Sequence, residues 1–280
     1  MTPRRFAQVD VFTDEPLLGN ALAVVLDGEG LSDARMAAFA RWTNLSETTF
    51  LLPPTEPTAD YRVRIFTPTV ELPFAGHPTL GSCHAWLAAG GTPRRDDEVV
   101  QQCGIGLVRL RRDGARLAFA APPRQRSGPL DEETVGRIAR FLGISRQDIV
   151  AHAHCDNGPA WKAVLLRSAA QVRALRPHLG SESALEIGVV GPEDADAETA
   201  FEVRAFFPAA GGGLTEDPVT GSLNAALAQW LTETGRAPAR YIAAQGSALG
   251  RAGRVHVQQS GADIWIGGHS VGVVEGRLSW

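Results

Sequence analysis

The hexapeptide Val63-Arg64-Ile65-Phe66-Thr67-Pro68 returns in the second half of the chain as Val203-Arg204-Ala205-Phe206-Phe207-Pro208. After each copy, at the same spacing, comes an ionisable residue followed by proline: His77-Pro78, then Asp217-Pro218. Both copies run through small residues into a helix-like stretch ending in Trp-Leu, at Trp86-Leu87 and Trp230-Leu231. A repeat of this size restricts the chain to two similar halves. Two halves that each carry one titratable group at a helix start suggest one active site served by both. The 280 residues leave room for two domains of ordinary size. The expected division is 1–120 and 121–264. A strand from about Val271 should return to the first half, since the second has its full set without it, so that about 265–280 completes the first domain.

Short β-type runs broken by Gly, Pro and Asp fill most of the chain. Strands are expected at 6–12, 21–26, 48–52 and 61–66, and again at 160–166, 187–190, 201–207, 254–258 and 264–266. A hairpin of 107–110 and 116–120 should turn at Asp113-Gly114. Helices are expected at 31–42 behind Ser32-Asp33, at 79–89 ending at Gly90-Gly91, at 131–142, from Val172, and at 221–234. The stretches 78–89 and 222–231 are apolar nearly all round, which marks helices buried on every side. The simplest architecture is therefore an α+β fold with a central buried helix wrapped by strands, twice over. Gly211-Gly212-Gly213 reads as a mobile loop. His152 and His154 read as a loop before the Trp161 strand rather than as metal ligands.

The chemistry concentrates at three places. In Ala75-Gly76-His77-Pro78-Thr79-Leu80-Gly81-Ser82, Pro78 fits a first helical turn. The N–H groups of Thr79, Leu80 and Gly81 are expected to be free there, forming an anion site for a carboxylate or phosphate. His77 beside it can give or take a proton near neutral pH. Glu216-Asp217-Pro218-Val219-Thr220-Gly221-Ser222 offers the same arrangement with Asp217 in place of His77. Either motif alone reads equally as plain helix capping; their matched positions in the repeat favour catalysis. The third place is Asn44-Leu45-Ser46-Glu47-Thr48-Thr49-Phe50, between a helix and a strand. A carboxylate such as Glu47, partly removed from water, can take a proton from carbon; the alternative is a solvent-facing turn residue. Asn20 could orient a substrate with its amide, or simply form a turn.

Other function classes lose support. A net charge of −4 argues against nucleic acid. No run reaches the apolar length of a membrane helix. Cys83, Cys103 and Cys155 are an odd, scattered set, which fits reduced thiols in a cytoplasm. There is no dinucleotide fingerprint, no phosphate loop and no metal-ligand cluster. A racemase that pairs two thiols, one at each helix start, finds no cysteine at either place.

The chain resembles the phenazine-biosynthesis isomerase (PhzF-like) family, which shares the diaminopimelate epimerase fold. The resemblance spans essentially the whole chain. It rests on Val9-Asp10-Val11-Phe12, Gly19-Asn20-Ala21-Leu22-Ala23-Val24, Leu45-Ser46-Glu47-Thr48-Thr49-Phe50, Phe74-Ala75-Gly76-His77-Pro78-Thr79 and Glu216-Asp217-Pro218-Val219-Thr220-Gly221-Ser222, with Gln245-Gly246 and Arg251 further on. Ala21 departs from the proline frequent after Gly-Asn. The resemblance implies two pseudo-symmetric domains, each a β-barrel-like sheet wrapped around a central helix, with the active site in the cleft between them. It also implies a frequent homodimer. The implied activity is an isomerase that moves a hydrogen between carbons of a small carboxylated substrate without a cofactor or metal. Glu47 would shuttle the proton, assisted by His77 and Asp217. Gly76, Gly221 and Ser222 would hold the substrate carboxylate, and Asn20, Ser46 and Thr79 complete the expected binding residues. An amino-acid epimerase or racemase, and a non-catalytic member binding a small anion or a protein, remain open at this point.

Overall fold

A computed structural model of the chain describes residues 3–178, 180, 182, 184–209 and 212–279. They divide into two compact units. One comprises the chain up to residue 120 together with the segment from 267 onward; the other comprises residues 121–266.

The first unit is a mixed sheet. Arg4–Val11 pairs antiparallel with Ser270–Leu278 on one side and with Asn20–Val25 on the other. Helix α1 (Asp33–Thr43) then carries the chain over to Thr48–Leu52, which runs parallel to Asn20–Val25. Thr48–Leu52 is antiparallel to Tyr61–Phe66. That strand takes the short Glu71–Leu72 strand antiparallel and Glu98–Cys103 parallel. The crossover between these two is helix α2 (Gly76–Ala88). Gly106–Asp113 and Arg116–Ala120 follow as an antiparallel pair. Alternation explains the strands: Tyr61, Val63 and Ile65 are buried while Arg62 and Arg64 between them are not. Helix α2 packs on Arg4–Val11, Asn20–Val25, Thr48–Leu52, Arg116–Ala120 and Ser270–Leu278, so sheet surrounds it. Gly81 makes this approach possible, because a Cβ there would lie 2.7 Å from Leu22 and 2.8 Å from Val11.

The second unit uses the same sequence of pairings. It opens with helix α3 (Glu132–Leu142), capped by the Asp131 side chain and closed by a left-handed Gly143. Ala151–Asp156 is antiparallel to Ala160–Leu165, which lies parallel to Ile187–Pro192 across helix α4 (Ala169–Ala174). Phe201–Pro208 is antiparallel to Ile187–Pro192 and to Leu214–Asp217, and parallel to Arg240–Gln245. Helix α5 (Gly221–Glu233) makes this last crossover, as α2 does in the first unit. Gly253–Ser260 pairs antiparallel with Arg240–Gln245. Gly188 lets its strand meet α5; a Cβ would stand 2.4 Å from Leu223.

Several elements differ from expectation. His152 and His154 lie on the Ala151–Asp156 strand, not in a loop. Glu98–Cys103, Glu71–Leu72 and Leu214–Asp217 are further strands that alternation does not reveal. Glu98–Cys103 buries Gln101 among its apolar residues, which breaks the apolar/polar pattern. Gly212 and Gly213, both with positive φ, sit in the turn between Phe201–Pro208 and Leu214–Asp217; Gly211 lies outside the described residues. No helix among the described residues is long and apolar enough to cross a membrane.

Candidate active site

The candidate residues of the first unit begin where α1 ends. Asn44 takes the left-handed conformation at φ 55° and turns the chain back. Three residues later Glu47 stands immediately before Thr48–Leu52. The threonines behind it are fully buried and tied down. The Thr48 hydroxyl meets that of Thr43 at 2.8 Å. The Thr49 hydroxyl accepts from Ser82 on α2 at 2.9 Å and donates to the Ala23 carbonyl. Glu47 therefore projects from a strand end fixed to both helices of its unit, and Ser46 sits half-buried beside it.

His77 comes from the start of α2. The cap residue Ala75 is extended and offers no side-chain acceptor. The expected free N–H groups need correction here. The helix begins at Gly76, and the Thr79 N–H already donates to the Ala75 carbonyl at 3.1 Å. The first-turn donors without an intrahelical partner are those of Gly76 and His77, Pro78 having none. Thr79 faces inward: it is fully buried and its hydroxyl accepts from the Gln101 amide at 3.0 Å.

The His77 ring bridges two of the expected residues. Its Nε2 lies 3.5 Å from Glu47 Oε2, and its Nδ1 lies 3.4 Å from the Asn20 amide nitrogen. Asn20 and His77 are both almost wholly buried. Burial disfavours the charged ring and pushes its pKa down to about 3; the Ala21 carbonyl, which favours the charged ring, offsets only part of this. The imidazole is thus neutral, with one donor and one acceptor nitrogen. Facing Glu47, Nε2 offers a single hydrogen-bonding sense, set by the ring tautomer.

In the second half, Asp217 is not at the helix start. It ends the Leu214–Asp217 strand, ahead of the α5 cap residue Thr220. The buried Arg204 guanidinium forks onto the neighbouring Glu216 at 2.8 and 2.6 Å and pins that strand. The Thr220 hydroxyl donates to Asp217 Oδ2 at 2.5 Å, so it is not spent on capping the helix. Gly221 and Ser222 present the first-turn N–H groups of α5. The Ser222 hydroxyl accepts from Trp161 Nε1 at 3.1 Å, and its carbonyl accepts from the Asn157 amide at 2.8 Å. Sequence reasoning passed over Thr220 as a partner of Asp217. The signal available was a hydroxyl three residues after a carboxylate.

The thiols stand apart. Burial pushes Cys83 and Cys155 each up to about 12 and raises Cys103, so all three are protonated at neutral pH. Among the described residues no group of three or more His, Cys, Asp or Glu is placed to hold a metal. His152 Nδ1 is already engaged by the Leu130 N–H at 3.0 Å.

A family model described as phenazine biosynthesis-like protein matches residues 9–276. The chain belongs to this family. Within the phenazine biosynthesis-like family, a Mesorhizobium japonicum protein named an uncharacterized isomerase is 36% identical, over 99% of each chain. The trans-2,3-dihydro-3-hydroxyanthranilate isomerase of Pseudomonas aeruginosa is 33% identical, over 98% of each. The crystal structure of a phenazine biosynthesis protein of the PhzF family from Enterococcus faecalis superposes with a TM-score of 0.82, at 23% identity and over the whole of both chains. That likeness establishes the shared α+β fold.

Proposed function

We propose that the chain is an isomerase that moves a proton between carbons of a small carboxylated substrate by general acid/base catalysis, without a cofactor. The observation that carries this reading is the buried contact of Glu47 with a neutral His77, 3.5 Å apart. The Glu47 carboxylate takes a proton from an activated carbon, and the C–H electron pair moves into the adjoining double bond. The glutamic acid then returns the proton at another carbon, so atoms and charge balance with no outside oxidant or reductant. His77 holds the Glu47 carboxyl in place through Nε2, and Asn20 holds the ring. Asp217 assists from the second repeat. The helix-start N–H groups of Gly76, Gly221 and Ser222 take the substrate carboxylate, with Ser46 at its edge. The committed hydrogen bonds of Thr79 give it a supporting part instead.

The name of the P. aeruginosa relative makes trans-2,3-dihydro-3-hydroxyanthranilate the first compound to test. Incubation in deuterated water with that compound and a panel of amino-acid and cyclic carboxylates separates the readings. Deuterium at a new carbon without inversion supports the isomerase. Inversion supports a racemase, against which the buried, protonated thiols already count. No exchange with any compound leaves a binding protein and sinks the proposal. The three free thiols support a cytoplasmic location.

A homodimer fits the edge of the first unit. Ser270–Leu278 pairs with Arg4–Val11, and residues 272–277 are exposed throughout, Val273 and Val274 included. Antiparallel pairing with a second copy about Gly276 would set Glu275 against the partner's Arg277, twice over.

A further inference from the structure

We infer that Thr220 and Gln245 are positioning residues for the Asp217 carboxylate, joined in a one-way relay of hydrogen bonds. This rests on the reading of Asp217 as part of the proton-transfer machinery.

The direction of every hydrogen in the relay follows from its donors. Gln245 Oε1 receives the Thr220 N–H at 3.0 Å and the Asn224 amide nitrogen at 2.8 Å. Both are donors, so the amide orientation is set by its partners. Gln245 Nε2 donates to the Asp217 carbonyl at 3.1 Å and to the Thr220 hydroxyl at 2.9 Å. The Gln245 amide is then fully satisfied. A threonine oxygen that accepts from Gln245 has its own hydrogen to give, and Asp217 Oδ2 stands 2.5 Å away. Asn224 closes the cluster by donating to the Thr220 carbonyl at 2.9 Å. Asp217, Thr220, Asn224 and Gln245 are all buried, where such a network holds its geometry firmly.

Comparison with the first repeat separates positioning from scaffolding. On the topologically equivalent strand, Gln101 is also fully buried and also bonds a threonine of the central helix segment, Thr79, while accepting from Tyr61 at 2.9 Å. A glutamine that fastens the central helix to its sheet thus occurs in both halves. In the second half the glutamine and its threonine run on to a carboxylate. Scaffolding alone would not require that extension.

Three variants and two readouts test this. Thr220→Val keeps the shape and removes the hydroxyl; Thr220→Ser restores it; Asp217→Asn is the reference. On any carboxylate whose hydrogen the wild type exchanges, Thr220→Val is expected to lower kcat by about 10- to 100-fold with KM little changed. Thr220→Ser should stay within about threefold of wild type, and Thr220→Val should add almost nothing in the Asp217→Asn background. Full activity of folded Thr220→Val, or losses that multiply in the double variant, overturns the inference. Should the valine variant not fold, Thr220→Ala takes its place. The second readout needs no substrate: a crystal structure of the Thr220 variant should show the Asp217 carboxylate turned from its wild-type rotamer, and an unmoved carboxylate refutes the relay. Wild-type exchange by Asp217→Asn instead refutes the functional reading of Asp217, an outcome distinct from either.

Discussion

A histidine buried in neutral form makes the folded chain sensitive to acid, and the size of the effect at His77 can be worked out. Unfolded, the ring titrates near its ordinary value of 6.5; folded, burial holds it at about 3. Below the unfolded value the unfolded chain binds a proton that the folded chain does not, so stability falls as pH falls. The loss begins near 6.5 and is complete near 3. Between pH 7.5 and pH 5, this one group removes about 2 kcal/mol. His84, His152 and His154 are lowered by burial too and add to the acid sensitivity of any variant that retains them. The contribution of His77 is therefore isolated by difference. Urea unfolding of wild type and His77→Asn at the two pH values should show the variant losing about 2 kcal/mol less than wild type. Equal losses would mean that the ring is not held neutral. A larger loss in the variant would mean that the Glu47 charge, 3.5 Å from Nε2, outweighs burial and that the two form an ion pair in the resting protein.

Other outcomes follow from the same geometry. Gly81→Ala places a Cβ within 2.8 Å of both Leu22 and Val11 and should cost about 1–3 kcal/mol, read as a lowered urea midpoint; an unchanged midpoint would show that α2 has slack against its sheet. Replacing Cys83 or Cys155 by alanine should leave hydrogen exchange on substrate intact, and loss of exchange in a folded variant would revive a thiol mechanism. Arg277→Glu should shift the chain from dimer to monomer in sedimentation, and adding Glu275→Arg should restore the dimer by swapping the charges; a monomeric wild type ends that proposal.

The architecture was legible wherever burial followed a simple period. Tyr61–Phe66 alternates, α5 is apolar all round, and the α+β class with its two central helices follows from such segments. Legibility failed where polar side chains are buried and satisfied by one another. Gln101 hides the Glu98–Cys103 strand, and His154 hides Ala151–Asp156. At the site, Glu47, His77 and Asp217 stand out as titratable residues in matched or strand-end positions, and the contacts of His77 with Glu47 and Asn20 draw three of the expected residues together. The start of α5 at Gly221 matches expectation, whereas α2 opens three residues before the expected 79, and Asp217 lies ahead of its helix. Proline marks a first turn without saying which residue opens it: α2 starts two residues before Pro78, whereas α5 starts three residues after Pro218. The links of Gln245 to Thr220 and Asp217 join residues distant in sequence, and no local pattern announces them.

The central claim is that Glu47 is the group that takes and returns the proton, and Glu47→Gln tests it most directly. Glutamine keeps the shape and a hydrogen-bonding partner for His77 but cannot accept a proton from carbon. With trans-2,3-dihydro-3-hydroxyanthranilate, or whichever carboxylate the wild type exchanges in deuterated water, the variant should lose exchange by on the order of 100- to 10,000-fold while binding the compound with near wild-type affinity. Exchange at close to the wild-type rate would contradict the claim.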